Sequence, residues 1–395
     1  MRDYKIFVSI ADIHIGRRTI TAKEMKRQLK TQFFDVINRF SRLDGIFVLG
    51  DTSHCILSLN SDYSNVYLWF FDQLYKTAKK KNATVVVVKG TPAHENDQLS
   101  NVHHYINNDD GVDFRIYETY EETTIWDDYK VLILPDVHVK NTSEITKYLT
   151  KDKHYDLILG HGLTSSMKFF VQESESMPMK TYEYEVKDLC DSCKGPVMFG
   201  HIHQHQIFRK QFYYVGNFTV LERGINDGGY LVGGICDSDR SKWKLERYIN
   251  PESATYHEFK VGRSILSNYS IDEIIDAIDE LLEGTKPNDL ITLRITRGDA
   301  LEESDKVYML EARYRKDHRI SIVKKVKTKK EEEHEEENKA RHDKYAYTMD
   351  RNLDMSEILY RYYETDILPT LAEEYNKSRK LTLEDFRRVL KEDKS

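Results

Sequence analysis

The chain has 395 residues, more than one ordinary core accommodates, so two or three domains are expected, and a hydrophobic share of 39% is enough to fill a sizeable core in the first. A net charge of -7 and a pI near 6.1 argue against a free-standing basic protein that coats DNA. They leave nucleic acid open, because a local patch or a partner subunit can supply the positive field. Four cysteines, Cys55, Cys190, Cys193 and Cys236, are too few for a disulfide framework in a chain of this size. No apolar run reaches the ~18–20 residues that span a bilayer, and Met1-Arg2-Asp3-Tyr4-Lys5 leads into a strand rather than a signal peptide, so no membrane is expected and the cytoplasm is the expected compartment, that of the host if the chain is viral.

In chain order, Ile6-Phe7-Val8 reads as a buried strand, followed by Asp12-Ile13-His14. Residues 23–40 carry Met25, Leu29, Phe33, Phe34, Ile37 and Phe40 at helical spacing. Ile46-Phe47-Val48-Leu49 is a second strand, closed by Gly50-Asp51, with His54 just beyond, and residues 65–79 form a second helical pattern. Thr84-Val85-Val86-Val87-Val88 is a fully buried strand leading to Gly90-Thr91-Pro92-Ala93-His94-Glu95. Leu157-Ile158-Leu159 runs into Gly160-His161-Gly162, and Val197-Met198-Phe199 into Gly200-His201-Ile202-His203. After residue 205 the pattern changes to short strands with glycine turns, around Phe212–Gly216 and Gly228–Ile235. The fold class is α/β, a sandwich of two sheets flanked by helices, over residues 1–253.

Residues 254–326 repeat the two-layer logic on a smaller scale. A strand near Tyr256, a helix over Ile271–Leu282, a strand at Leu290–Ile295, a helix near Val307–Tyr314 and a strand at Ile320–Val326 make a small βαβαβ cap. A charged block follows, from Lys324 and Lys325 through Lys330 to Glu331–Glu337, and marks residues 327–349 as a solvated linker or an exposed helix at the boundary of the folded body. In residues 350–395, Met355, Ile358, Leu359, Tyr362, Ile367, Leu368 and Leu371 recur at mostly helical spacing and Leu381–Leu390 offers a second helix, so a helical segment is expected whose apolar face docks on a partner or else folds back on its own body, the partner being the expected reading.

The polar residues that close the strands carry the functional signal. Layered α/β folds bind ligands at the carboxyl ends of their strands, so His and Asp residues far apart in sequence converge there. Hydrolysis of a phosphodiester needs charge neutralisation on the phosphoryl oxygens and a hydroxide at neutral pH, which two cations roughly 3.5–4 Å apart supply. Asp51, at a strand end after glycine, has the character of a carboxylate shared between them. Mixed imidazole and carboxylate ligation suits manganese, iron or zinc better than calcium or magnesium. Cys190-Asp191-Ser192-Cys193 has zinc-knuckle spacing but lacks a second Cys-x-x-Cys pair, and a structural role is expected. His103, His104, His138, His154, His205 and His257 lack motif context and are expected at the surface or in packing.

The order Asp-x-His, Gly-Asp, Gly-x-x-x-His, His-Gly and Gly-His-x-His resembles the calcineurin-like metallophosphoesterase superfamily, and within it the Mre11/SbcD nucleases of DNA repair and recombination, including their phage counterparts. Ser9–Gly16, the spacing of His54 after Asp51, and Met198–His203 carry the branch-level likeness, which covers about the first 220 residues with specific motifs. The resemblance implies one metal on Asp12, His14, Asp51 and His203 and a second on Asp51, His161 and His201, both expected to be manganese. It implies that His94 contacts the scissile phosphate and protonates the leaving oxygen, and that His54 places the phosphate or the nucleic-acid end. It also implies DNA as substrate, and a homodimer joined through residues 350–395 to a Rad50/SbcC-type coiled-coil ATPase in a heterotetramer. The family loop reads Gly-Asn-His-Asp, whereas this chain has Gly90-Thr91-Pro92-Ala93-His94-Glu95 and lacks the ligating Asn. Thr91, a backbone carbonyl or a water would fill the gap, and a weaker second site is expected. Two rival readings remain: the same chemistry on a small or protein substrate, and a non-catalytic scaffold for DNA ends.

Overall fold

The structure is a computed structural model describing residues 3–326 except 59, 106–110, 138–142, 151–153, 166–182, 223–224, 226, 287–288, 299–300 and 318. The expected linker (327–349) and docking segment (350–395), together with His138, lie outside the described residues.

The uninterrupted apolar runs are strands that need cover on both faces. The first sheet contains β1 (Tyr4–Ile10), β2 (Gly45–Leu49), β3 (Thr84–Val88) and β4 (Phe114–Tyr117), all parallel from β1 to β4. The second contains β5 (Glu121–Ile125), β6 (Tyr129–Leu134), β7 (Leu157–His161), β8 (Val197–Gly200), β9 (Gln206–Phe208) and β10 (Phe212–Tyr214), in the order β5-β6-β7-β8-β10-β9. Within it β6, β7, β8 and β10 are parallel, and β5 and β9 pair antiparallel at the edges. The chain then returns to the first sheet through β11 (Gly229–Cys236) and β12 (Trp243–Ile249), giving β12-β11-β1-β2-β3-β4. This is a mixed α/β architecture with two large mixed sheets, as the alternation of strand-like and helical patterns predicts.

Period-two alternation divides the strand side chains between two cores. Phe47, Leu49, Val86 and Val88 meet Val131, Ile133, Leu157, Leu159 and Met198 of the second sheet. Their neighbours Ile46, Val48, Val85 and Val87 pack against Met25, Leu29, Phe33, Phe34, Phe70 and Leu74 on the helices. Each such side chain, fully withdrawn from water, contributes about 1.5–3 kcal/mol. The far face of the second sheet is covered by Val186, Leu189, Cys190 and Cys193, so the Cys-x-x-Cys pair is core.

The first helical pattern is not one regular helix over residues 23–40. It runs Ala22–Gln28, passes through a π-helical stretch at Leu29–Phe34 and ends at Asp35–Ile37. The wider π turn lets Phe33 and Phe34, adjacent in sequence, both bury their rings. Thr21 caps its start, accepting from Glu24 N at 3.2 Å. The second helix, Asp62–Lys81, is longer than the predicted 65–79, because Ser61 caps it and Asn82, at φ 53°, stops it in the left-handed region.

β13 (Tyr256–Val261), β14 (Leu290–Arg297) and β15 (Ile320–Val326) form a third sheet in sequence order. Helices Arg263–Asn268, Ile271–Glu283 and Leu301–Tyr314 lie between them in sequence; the first is absent from the sequence expectation, and the third starts earlier than predicted. The described residues divide into two compact units, 3–260 with 272–294 and 311–323, and 261–271 with 295–310 and 324–326, so the division runs through the segment 254–326. In the first, Tyr314 Oη donates to Asp279 Oδ1 at 2.8 Å; in the second, Glu303 accepts from Gly298 N at 2.6 Å and Ser267 Oγ at 2.8 Å.

Candidate metal centre

The loops after β1 and β2 are laced together just where the strands stop. Asp12 N donates to Gly50 O at 3.1 Å, His14 N to Asp51 O at 2.9 Å and Ile15 N to Thr52 O at 2.9 Å. This lacing holds Asp12, His14 and Asp51 at φ 49°, 51° and 50°, and His201 takes φ 93° after β8. Non-glycine residues rarely adopt such angles, and they gather at sites where the surroundings over-determine the backbone. Gly50, at φ 76°, is required: a Cβ there would lie 2.3 Å from His161 Nδ1 and 2.6 Å from Gly90 Cα.

These turns bring together side chains from five strand ends. Asp12, His14 and His203 form one group of donor atoms within 4.8 Å of one another, Asp51, His161 and His201 a second, and His14, His54 and His94 a third. Asp51 joins them, its Oδ2 lying 3.4 Å from His161 Nε2, 3.8 Å from His14 Nε2 and 3.9 Å from His94 Nε2. His14 Nε2 and His203 Nε2 face each other at 2.8 Å. His54 stacks on His94 with ring centroids 5.1 Å apart, and its Nδ1 lies 3.4 Å from His14 Nδ1. Of the candidates for the missing Asn, Thr91 has its hydroxyl in the cluster: Oγ1 is 3.2 Å from Asp51 Oδ2 and 3.3 Å from both His161 Nε2 and His201 Nδ1.

Neighbours fix the direction of these side chains. His161 Nδ1 donates to Leu49 O at 2.8 Å, turning Nε2 toward Asp51. His94 Nδ1 donates to His54 O at 2.6 Å. Both oxygens of Asp12 accept from His201 N, at 2.9 and 3.1 Å, and Asp51 Oδ1 accepts from Thr91 N at 2.7 Å. Glu95, fully buried, accepts from Thr52 N at 2.7 Å and Gly90 N at 2.6 Å, tying the loop after β2 to the loop after β3. His203 Nδ1 is hydrogen-bonded to Glu222, which also pairs with Arg17 at 3.3 Å.

Burial drives the electrostatics. It keeps His14 neutral, well below the usual histidine range, and pushes His201 down to about 3, with the His161 charge adding to the effect. Burial opposes the charge on His161 too, but Asp51 outweighs it and raises the imidazole to about 10. In return His161 holds the Asp51 carboxyl far below the carboxylate range against its own burial. Asp12 is raised by burial to about 6, and Glu95 by burial and the Asp51 charge to about 7. The donor set fits divalent cations: buried Asp12 and Asp51 lie among imidazole nitrogens, and His14 Nε2 and His203 Nε2 face each other at 2.8 Å where a shared cation would satisfy both. These buried His and Asp groups could hold a metal ion.

Three acidic residues of the site escape the sequence reading. Asp136 follows β6 as Asp51 follows β2, and its Oδ2 lies 4.0 Å from His201 Nδ1. Its signal was the same, an apolar strand followed by an acid, with Pro135 between. Glu95 directly follows His94, and Glu222 has no sequence signal. Elsewhere His103 pairs with Glu118 at 3.0 Å and His257 with Asp289 at 2.9 Å, while His205 Nδ1 donates to Tyr214 O at 2.7 Å.

No family model matches the chain, and no curated protein matches it. Several solved structures match, among them a crystal structure similar over 62% of this chain and 99% of its own, at 14% identity and a TM-score of 0.35.

Proposed function

We propose that the chain is a two-metal phosphodiesterase with a metallophosphoesterase fold, acting as the manganese-dependent exonuclease and endonuclease subunit of a DNA double-strand-break repair or recombination complex. The observation that carries the reading is the position of Asp51 Oδ2, within 3.9 Å of His161, His14 and His94, with Asp12 and His203 grouped around His14. A carboxylate so placed between two sets of imidazoles is suited to bridge two cations. Asp12, His14, Asp51 and His203 would hold one, and Asp51, His161, His201 and the Thr91 hydroxyl the other. Bound divalent cations neutralise phosphoryl charge and ease the ionisation of water. His94 acts on the substrate side: its Nδ1 is tied to His54 O, and its Nε2, on a side chain 30% exposed, is the end left to meet a phosphate and return a proton to the leaving oxygen. His54, stacked on that ring, sets its plane.

DNA as substrate, manganese as the metal, the cap role of residues 254–326 and docking of residues 350–395 on a Rad50/SbcC-type ATPase rest on the motif order and the resemblance it carries. The test is turnover of linear duplex DNA and of a simple aryl phosphodiester with Mn²⁺, with Asp12→Ala as control. Cleavage of DNA that Asp12→Ala abolishes is expected. Cleavage of the aryl ester alone would favour a small substrate, and Mn²⁺ binding without turnover of either would favour a scaffold. Co-purification with the ATPase should require residues 350–395.

A further inference from the structure

Among the described residues, Glu222 is a carboxylate that touches both a candidate metal ligand and a cation beside the site. It lies in the segment between β10 and β11, far in sequence from the strand ends that carry the other acids. One oxygen, Oε1, is hydrogen-bonded to His203 Nδ1; the other, Oε2, accepts from Arg17 at 3.3 Å. Arg17 sits just after the first motif, so Glu222 ties the loop after β1 to the residues following β8. A carboxylate has no proton to give at neutral pH, so the hydrogen in the Glu222–His203 contact belongs to Nδ1. That assignment leaves His203 Nε2, on the opposite side of the ring, as the atom facing His14 Nε2 at 2.8 Å.

We propose that Glu222 is a positioning residue for the metal centre: it fixes the Nδ1–H form and ring orientation of His203, so that Nε2 is presented to a divalent cation shared with Asp12 and His14. The inference rests on the two-metal reading and deepens it. A ligating imidazole commonly donates its second N–H to a carboxylate, and loss of that partner weakens metal binding about 10–100-fold. Arg17 contributes by holding the second oxygen, so the carboxylate cannot swing away from the ring.

The experiment is a calorimetric Mn²⁺ titration of the full chain and of Glu222→Ala and Glu222→Gln, with selective ¹⁵N-histidine NMR of the metal-free protein. Glu222→Ala is expected to lose about 10–100-fold in the affinity of one binding step, and Glu222→Gln, which keeps an acceptor but not its charge, about threefold or more. The metal-free wild type should show His203 protonated at Nδ1, and Glu222→Ala should admit the Nε2–H form. Affinities within twofold of wild type in both variants, or a wild-type His203 bare at Nδ1, overturn the proposal. Should Glu222→Ala fail to fold, Glu222→Gln and the wild-type spectrum decide. None of these readouts uses turnover: a wild type that binds Mn²⁺ and cleaves no DNA refutes the nuclease reading alone, whereas one that binds no Mn²⁺ refutes both.

Discussion

Metal binding at the Asp51, His161 and His201 group should depend steeply on pH, and the main cause is the proton on His161. His161 is fully buried and paired with Asp51 at 3.4 Å, which holds its pKa up to about 10. A ligating imidazole must be neutral, so this proton competes with the metal at every pH below that value. The sign follows directly: the raised pKa keeps the proton on at neutral pH, and affinity climbs as pH rises toward 10. His201, pushed down to about 3, and Asp51, already ionised, add no slope near neutrality. The apparent affinity of this step should therefore rise about tenfold per pH unit, or about a hundredfold from pH 6.5 to 8.5, where Asp12 at about 6 is already mostly ionised. Isothermal titration with Mn²⁺ in two buffers of different ionisation enthalpy measures both the affinity and the protons released. His161→Asn removes the proton-holding group, and its slope at this step should shrink well below that of the wild type while affinity at pH 8.5 falls. A wild-type affinity flat across that range, or binding without proton release, would show that His161 is neutral in the free protein and refute the electrostatic account.

Gly50→Ala should cost more than about 1 kcal/mol in stability and weaken metal binding, because the new methyl group meets a φ of 76° and lies 2.3 Å from His161 Nδ1; thermal unfolding and Mn²⁺ titration check both. Thr91→Val, which keeps shape but removes the hydroxyl, should weaken the second binding step about fivefold, and Thr91→Asn should tighten it, both read by the same titration. Two equal, tight steps in the wild type would contradict the weaker site that a hydroxyl in place of an amide oxygen implies.

The sequence reveals those parts of the molecule that depend on local pattern. Ile46–Leu49 and Thr84–Val88 are apolar without alternation because both of their faces are covered, and that condition is legible from composition alone. The polar residues that follow such runs converge because parallel strands end on one side of a sheet. Asp12, His14, Asp51, His161, His201 and His203 are visible for that reason, and Asp136 would have been by the same rule. The charged partners are another matter. Glu222 meets His203 and Arg17 through a loop whose path no periodicity describes, and Glu95 acts by receiving two backbone N–H groups from loops that only tertiary packing brings together. The π-helical stretch at Leu29–Phe34 is likewise a response to packing two adjacent phenylalanines into one core.

The backbone at the site adds a link that neither composition nor spacing expresses. Four of the candidate ligands or their neighbours in the cluster, Asp12, His14, Asp51 and His201, hold positive φ, each at a cost of about 1–3 kcal/mol against ordinary conformations. Local propensity alone seldom selects those angles outside glycine. They persist because the loops after β1 and β2 exchange backbone hydrogen bonds, and because Asp12 accepts from His201 N with both oxygens. The same contacts that offset the strain also aim the side chains. Relaxing one turn would therefore move several donor atoms together, which is why the Gly50 substitution is expected to disturb His161, on a different strand of a different sheet, as directly as it disturbs its own loop.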